Sequence, residues 1–255
     1  MTPERCDGIL LAAGAGTRYG MPKVLAEGGA WLRTAVAALR DGGCARIFVV
    51  LGATGPAYRA ADGSWLVSQT SGIALPEGVL PVWASDWEVG LSTSTRAGLA
   101  AAATPSVSAH RDGLTSPVAA ERVSPEHFIA ARTEPSGNVA ARNSGARNGA
   151  AGSFGGPPEF VAIMPVDTPD VGGAVVSRVI AAARVSESRL ARAVFGDMPG
   201  HPVVLGREHW AGVSASARGN SGAGTYLRRR TDMVCVTCDD LATGLDRDYP
   251  ADNAR

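Results

Sequence analysis

Lysine is almost absent from this chain of 255 residues: Lys plus Arg is 24, and Lys23 is the single lysine among them. Net charge is absent as well, because the 24 basic residues balance 24 acidic ones. Proteins devoted to nucleic acids or to anionic membranes need a basic excess. We therefore expect neither nucleic acid nor membrane as a partner, and the position of the lone lysine becomes informative.

Long apolar runs and a cysteine framework are also missing. The longest apolar run near the start, Ile9–Ala13, is too short to cross a membrane, and the residues before it lack the layout of a signal peptide. Four cysteines are too few for a disulfide scaffold. Cys235 and Cys238 are three residues apart on a predicted strand, which would point their thiols to opposite faces rather than at one zinc ion. We expect a reduced, soluble, cytoplasmic protein.

Short apolar runs that alternate with alanine-rich helical patterns predict an α/β fold of three layers, Rossmann-like, around a mostly parallel central sheet. The predicted helices are Trp31–Leu39, Ser92–Ala102 and Ala174–Ala183. The predicted strand over Val79–Ala84 is the weakest, because Pro81 cannot donate to a central ladder. The predicted strands are Gly8–Ala13, Arg46–Leu51, Val79–Ala84, Phe160–Pro165, Leu190–Phe195 and Met233–Thr237.

One stretch interrupts this pattern. Residues 103–157 are rich in Ala, Ser, Gly, Arg and Asn and contain scattered prolines, with almost no apolar face to bury. We predict that residues 1–255 form a single domain and that residues 103–157 are a disordered insertion within it. The alternative is a lid that orders on substrate.

The first predicted strand leads into a glycine-rich loop with two cations. Gly14, Gly16 and Gly20 permit a tight turn whose N–H groups can face an anion, and Arg18 and Lys23 add positive charge. A P-loop would need Lys directly after its last glycine, and Met21 follows Gly20 instead. A dinucleotide fingerprint would need glycine at position 19, which is a tyrosine. The loop therefore predicts a polyphosphate site of another kind.

This segment resembles the signature L-A-A-G-x-G-x-R-x-G-x-x-K of the MobA-like NTP transferases, and it is most similar to the branch that contains the molybdenum cofactor cytidylyltransferases. The lone lysine falls on the family's lysine, where a compact ammonium suits contact with phosphate oxygens. The resemblance implies catalytic roles for Arg18 and Lys23. The positions it implies for nucleotide binding are Leu11, Ala12, Ala13, Gly14, Gly16, Thr17, Arg18 and Lys23.

Two later segments resemble further motifs of the family. Residues 87–94 are similar to W-x-x-G-x-x-x-S, which opens a helix beside the substrates; Ser92 or Thr93 would cap that helix. The strand Phe160–Pro165 runs into Val166-Asp167-Thr168-Pro169, which resembles G-D-x-P, whose aspartate binds Mg²⁺ and would be catalytic. Gly196-Asp197-Met198-Pro199 fits that motif literally but comes too late in the chain, so Asp167 is the predicted metal ligand.

The remaining matches are looser. Gly200-His201-Pro202-Val203 resembles the family's G-H-P-V segment, which with the helix above implies Ser92, Ser94 and His201 as acceptor-binding residues. Asn220 stands where the family has an aspartate. Residues 246–252 resemble D-x-D-T-P-x-D and make Asp246 a candidate second metal ligand, with Asp239 and Asp240 as competitors.

The resemblance implies a Mg²⁺-dependent nucleotidyltransferase that moves a nucleotide from an NTP to a phosphorylated small acceptor and releases pyrophosphate. The L-A-A-G form implies CTP, and the implied acceptor is the molybdenum cofactor, with a molybdoenzyme client as a further partner. Two alternatives stay open. One is an NAD(P)H-dependent oxidoreductase on the same scaffold, which Tyr19 disfavours. The other is a non-catalytic chaperone for the molybdenum cofactor, which Asn220 slightly favours.

Overall fold

The computed structural model of the protein describes residues 4–67, 72–105 and 156–249. Within them, seven strands form one large sheet: β1 (Cys6–Leu11), β2 (Ile47–Leu51), β5 (Val79–Trp83), β6 (Phe160–Pro165), β7 (Leu190–Phe195), β8 (Met198–Gly206) and β9 (Val234–Thr237). Their order across the sheet is β5-β2-β1-β6-β8-β7-β9. A separate short hairpin joins β3 (Tyr58–Arg59) to β4 (Trp65–Leu66).

Helices cover both faces of this sheet. On one face α1 (Ala26–Asp41) packs against α3 (Gly173–Val185), and on the other α2 (Leu91–Ala103) packs against α4 (Trp210–Ser216), which is followed by α5 (Gly224–Leu227). Successive strand residues enter opposite cores: Leu10 lies under α1 and α3, and Ile9 lies under α2. Strands buried on both faces explain why the sequence shows continuous apolar runs rather than alternation. The predicted three-layer α/β fold is confirmed.

The sheet is mostly parallel, as predicted, since β8 alone among its seven described strands runs against the others. All six predicted strands are present within a few residues of their predicted ends, and β8 was missed. Its glycines and prolines hide it, but Pro202 lies at a bulge in the β7–β8 ladder, where a missing N–H is tolerated. Pro81 is tolerated for a related reason, because β5 is an edge strand.

The segment that fits G-D-x-P literally is a hairpin turn. Gly196 and Asp197, between β7 and β8, both have positive φ angles of 51° and 66°, as tight hairpin turns require. Of the predicted insertion 103–157, residues 106–155 lie outside the described residues, so that prediction stays untested. No helix in the described ranges has the length and apolar character needed to cross a membrane.

A buried ion pair joins the amino end of the sheet to α2. The Asp7 carboxylate is fully buried and accepts a hydrogen bond of 2.7 Å from Arg46 Nε, while the same guanidinium donates to the carbonyl of Ala102 at the end of α2. Burial raises the pKa of Asp7 despite the opposing effect of Arg46. Arg46 therefore has two tasks, to hold this charge and to fix the helix end.

Replacing Arg46 with Met should destabilise the protein by about 3 kcal/mol, because it leaves a buried carboxylate without its main partner. The pKa of Asp7 would rise further, so protonation would relieve part of the loss, and the loss should be larger at pH 8 than at pH 5. Urea denaturation at both pH values measures this. Arg178→Met, which breaks an exposed pair with Asp240, is the control and should cost less than about 1 kcal/mol. Equal losses in both variants would contradict the assignment.

Candidate active site

A cleft of about 510 Å³ opens at the carboxyl ends of β1 and β6. These strands are neighbours in the sheet, with Leu11 paired to Pro165, so the segments that leave them emerge side by side. Val166 N–H donates to the Leu11 carbonyl at 3.1 Å and ties the two exits together. In open α/β sheets, ligands bind at this edge. All eight predicted nucleotide-binding residues line the cleft: Leu11, Ala12, Ala13, Gly14, Gly16, Thr17, Arg18 and Lys23.

The glycine loop has the shape that its glycines were predicted to permit. Gly16 and Gly20 have φ angles of 62° and 93°, in the left-handed region. Gly20 N–H donates to the Gly16 carbonyl at 2.8 Å and closes a turn. A Cβ on Gly16 would lie 1.9 Å from the Met21 carbonyl oxygen, so no larger residue fits there without moving the loop. This turn brings the segment that carries Arg18 and Lys23 back to the cleft.

Charged side chains cross the mouth of the cleft in a chain of contacts. Lys23 Nζ donates to Asp167 Oδ2 at 2.7 Å and to Asp248 Oδ1 at 2.8 Å. The other oxygen of Asp248 lies 2.9 Å from Nη1 of Arg18. The carboxylate of Asp248 thus bridges both predicted phosphate-binding cations. Three segments distant in sequence, the glycine loop, the end of β6 and the residues near 248, meet at this point.

These contacts shift the pKa values of Lys23 and Asp248 in the directions that favour their charged forms. Burial disfavours the ammonium of Lys23, but its hydrogen bonds to Asp167 and then Asp248 outweigh burial and raise its pKa above the usual value. The hydrogen bond from Lys23 lowers the pKa of Asp248. Lys23 is therefore a cation, and Asp248 a carboxylate, over the whole physiological pH range.

Asp246 lies on the same segment as Asp248, close enough to Asp167 for the two negative charges to repel, although it is not among the residues that line the cleft. Its pKa is raised, first by desolvation of the carboxyl group and then by the negative charge of Asp167. Arg247 N–H donates to the backbone carbonyl of Asp167 at 2.9 Å and fixes the segment there. Asp239 and Asp240 are occupied elsewhere: Asp239 accepts a hydrogen bond from Gly196 N–H, and Asp240 pairs with Arg178. The geometry favours Asp246 over both competitors as a companion of Asp167.

Asp167, which lines the cleft, and the nearby Asp246 fit a Mg²⁺ ion that also contacts a nucleotide. Asp167 Oδ1 is buried and has no hydrogen-bond partner among the described residues, although the other oxygen is bound by Lys23. Within the described ranges no three carboxylate, histidine or cysteine side chains converge on one metal position. Mg²⁺ commonly takes only one or two carboxylates and completes its shell with substrate phosphates and water. Asp167 with Asp246 meets that requirement.

Helix α2 approaches the cleft with its amino end. It begins after Gly90, and neither Ser92 nor Thr93 caps it with a side-chain hydrogen bond, so the predicted cap is wrong. Gly90 is required by a close contact, because a Cβ there would lie 2.5 Å from Asn220 Oδ1. Gly90, Leu91, Ser94 and Asn220 all line the cleft.

Of the three predicted acceptor-binding residues, Ser94 alone lies on the cleft wall. Ser92 and Ser94 are both buried, but residues two apart on a helix point in directions roughly 200° apart, and Ser92 is not among the lining residues. His201, on β8, is not among the lining residues; burial, followed by the positive charge of Arg192, lowers its pKa to about 4. His201 is thus a neutral ring at neutral pH. An acceptor-binding role for Ser94 stays a prediction.

Sequence reasoning missed the role of Asp248. The D-x-D pattern offers two carboxylates, and the prediction singled out Asp246 alone. The spacing does carry a signal: on an extended segment, residues 246 and 248 point to the same side. Which of the two meets Lys23 depends on where the segment crosses the cleft, and that is a tertiary property.

The family model for the MobA-like NTP transferase domain matches residues 8–234. The chain belongs to the MobA-like NTP transferase family. It is a nucleotidyltransferase by this membership. The match spans the glycine loop, Asp167, β7 and β8, and it ends at the first residue of β9. A search of curated proteins gives no significant match.

Solved structures share the fold at low sequence identity. Rv0371c from Mycobacterium tuberculosis H37Rv is 18% identical, with a TM-score of 0.59 over 98% of this chain and 95% of that one. A structure of Rv0371c in complex with manganese gives a TM-score of 0.53 at 18% identity, covering 95% and 93%. The 2-C-methyl-D-erythritol 4-phosphate cytidylyltransferase from Thermus thermophilus is 14% identical, with a TM-score of 0.53 over 97% and 95%.

Gly16→Ala should destabilise the protein by roughly 1–3 kcal/mol, because the new Cβ collides with the Met21 carbonyl and the backbone is left-handed there. Gly14→Ala is the matched control in the same loop. A Cβ on Gly14 meets nothing within 4 Å, so that variant should change stability by less than about 1 kcal/mol. Urea denaturation compares the two; a Gly16 variant as stable as the Gly14 variant would refute this account of the loop.

Proposed function

We propose that this nucleotidyltransferase transfers CMP from CTP to a phosphorylated small acceptor in a Mg²⁺-dependent reaction. An oxygen of the acceptor phosphate attacks the α-phosphorus of CTP and forms a new P–O bond. The bond between the α-phosphorus and the bridging oxygen to the β-phosphorus breaks, and pyrophosphate leaves. No covalent bond to the protein is needed, so the protein contributes position and charge.

The contacts of Lys23 and Arg18 carry this proposal. Both cations bind carboxylates at the mouth of the cleft, at 2.7–2.9 Å. Phosphate oxygens offer the same negative charge and the same hydrogen-bond acceptors as a carboxylate. A triphosphate would therefore replace Asp248 as the partner of Arg18 and Lys23. The loop N–H groups of residues 14–17 would add neutral donors along the phosphates.

Asp167, with Asp246 beside it, would hold the Mg²⁺ ion. The unpartnered Oδ1 of Asp167 is the oxygen available for it, even while Lys23 binds Oδ2. Bound there, Mg²⁺ supplies positive charge against the phosphates as negative charge develops in the transition state. The manganese complex of Rv0371c supports a divalent ion in a protein of this fold.

The choice of CTP rests on Ala13, which lies on the cleft wall and belongs to the L-A-A-G form of the loop. The fold of a Thermus cytidylyltransferase is consistent with this choice. For the acceptor we propose the molybdenum cofactor, with delivery to a molybdoenzyme client. Ser94, which lines the cleft, is the residue that we propose to contact it. A dinucleotide cofactor is disfavoured, because Tyr19 packs against Trp31 with ring centroids 5.0 Å apart where that fingerprint needs glycine.

A thermal-shift panel of CTP, GTP, ATP, NADH and NADPH, each with and without Mg²⁺, tests the proposal. At 100 times its Kd, CTP with Mg²⁺ should stabilise the protein by about 2.7 kcal/mol, which is a rise of roughly 5–10 °C for a chain of this size. Asp167→Asn should abolish the Mg²⁺-dependent part of the rise and the release of pyrophosphate. A rise with NADPH alone would contradict the proposal. Binding of CTP without turnover on any acceptor would favour the chaperone alternative.

Lys23→Ala should weaken CTP binding at least tenfold, because the variant loses the ammonium that is to meet the phosphates. The circular dichroism spectrum should be unchanged, since Lys23 joins the site and not the two cores. Isothermal titration with CTP measures the affinity. The control is Arg33→Ala, which removes a cation that donates to the Gly28 carbonyl on α1 and should leave the affinity within twofold. Equal affinities for wild type and Lys23→Ala would remove Lys23 from the site.

A further inference from the structure

Asp170 lies three residues after Asp167, outside the motifs that mark the site. One oxygen of its carboxylate, Oδ2, accepts three hydrogen bonds: from Thr243 N–H at 2.7 Å, from the Thr243 hydroxyl at 2.6 Å and from Gly244 N–H at 3.1 Å. Asp170 is exposed, so it stabilises no core. Three donors on one oxygen instead make it an anchor for residues 243 and 244.

Residues 243–248, here named the strap, run from this anchor across the mouth of the cleft. Beyond Gly244 the strap carries Asp246 toward Asp167, binds the Asp167 carbonyl through Arg247 N–H, and delivers Asp248 to Lys23 and Arg18. The backbone of Gly244 packs so closely on the Phe195 ring that a Cβ there would lie 2.1 Å from the ring. This contact is a second point at which the start of the strap is held. The strap therefore enters the site from a defined place.

The anchor and the metal-ligand candidate share one short loop. Thr168 and Pro169 alone separate Asp167 from Asp170, and proline restricts the backbone between them. Asp170 thus sets the distance between the strap and Asp167 through a connection too short to vary much. A free strap would have to order itself each time a metal binds beside the nucleotide, which would weaken the binding of that metal.

We propose that Asp170 is a positioning residue, which clamps the strap so that Asp246 and Asp248 stay beside Asp167 and Lys23. The inference rests on the proposed function, since the benefit of the clamp is a site prepared for metal and nucleotide together. Asp170 touches neither substrate nor metal in this account. It acts through Thr243 and Gly244.

Hydrogen exchange followed by mass spectrometry tests the clamp without any ligand. In Asp170→Ala, the amides of residues 243–248 should exchange at least fivefold faster, because two of them lose their acceptor. Asp62→Ala is the matched control: Asp62 is also an exposed carboxylate that accepts N–H and O–H bonds in a turn, there from Ser64. Thr243→Val removes the hydroxyl donor from the other side and should give a smaller change of the same sign. Unchanged exchange in both clamp variants would overturn the clamp.

The positioning role needs a second readout, the linkage between Mn²⁺ and CTP. The affinity for CTP is measured with and without MnCl₂, and the ratio is the metal-linked gain. Asp170→Ala should reduce this gain at least fivefold and leave the metal-free affinity within twofold, while Asp170→Asn, which keeps an acceptor oxygen, should retain most of it. Faster exchange with an unchanged gain would overturn the positioning role. A wild type without any metal-linked gain would refute the proposed function, and the positioning role with it, whatever the exchange data give for the clamp.

Discussion

The double contact of Lys23 with Asp167 and Asp248 is the interaction on which the site depends. It joins the loop after β1 to the end of β6 and to a segment 225 residues downstream. The sheet makes this possible, because β1 and β6 are hydrogen-bonded neighbours although about 150 residues separate their paired positions. The fold brings the segments to one edge, and the ion pairs then fix their spacing at the level of single atoms.

An ammonium between carboxylates also stabilises a group of like charges that would otherwise repel one another. Two cations at one mouth repel each other, and so do two or three carboxylates. Placing cations and carboxylates alternately lowers the repulsion within each set. On the proposed function, phosphate would replace the carboxylate beside each cation, and the metal would replace the cation beside Asp167. The raised pKa of Lys23 and the lowered pKa of Asp248 are signs of this balance. Burial and then the negative charge of Asp167 raise the pKa of Asp246 although Lys23 opposes them, so a further positive charge beside Asp167 and Asp246 would relieve their repulsion.

The fold class and the glycine loop with Arg18 and Lys23 could be predicted from the sequence, because both depend on local patterns. Continuous apolar runs indicate strands that are buried on both faces, as in a parallel sheet. The glycines, Arg18 and Lys23 lie within one segment of 13 residues, Leu11–Lys23. Strand β8 was not predicted, because Pro202 is tolerated there through a bulge that no local sequence pattern reveals. Which of Ser92 and Ser94 lines the cleft depends on how α2 is rotated about its own axis, and the sequence does not show that rotation. Asp248 and Asp170 required the path of the strap, which tertiary contacts alone determine.

The separation between Lys23 and Asp248 has a consequence for biosynthesis. At a translation rate of about 5–20 residues per second, a gap of 225 residues corresponds to roughly 10–45 s. During that interval a nascent chain carries the cations of the loop without the carboxylate that bridges them. The strap is thus made after the other parts of the site, and its carboxylate pairs with cations that are already in place.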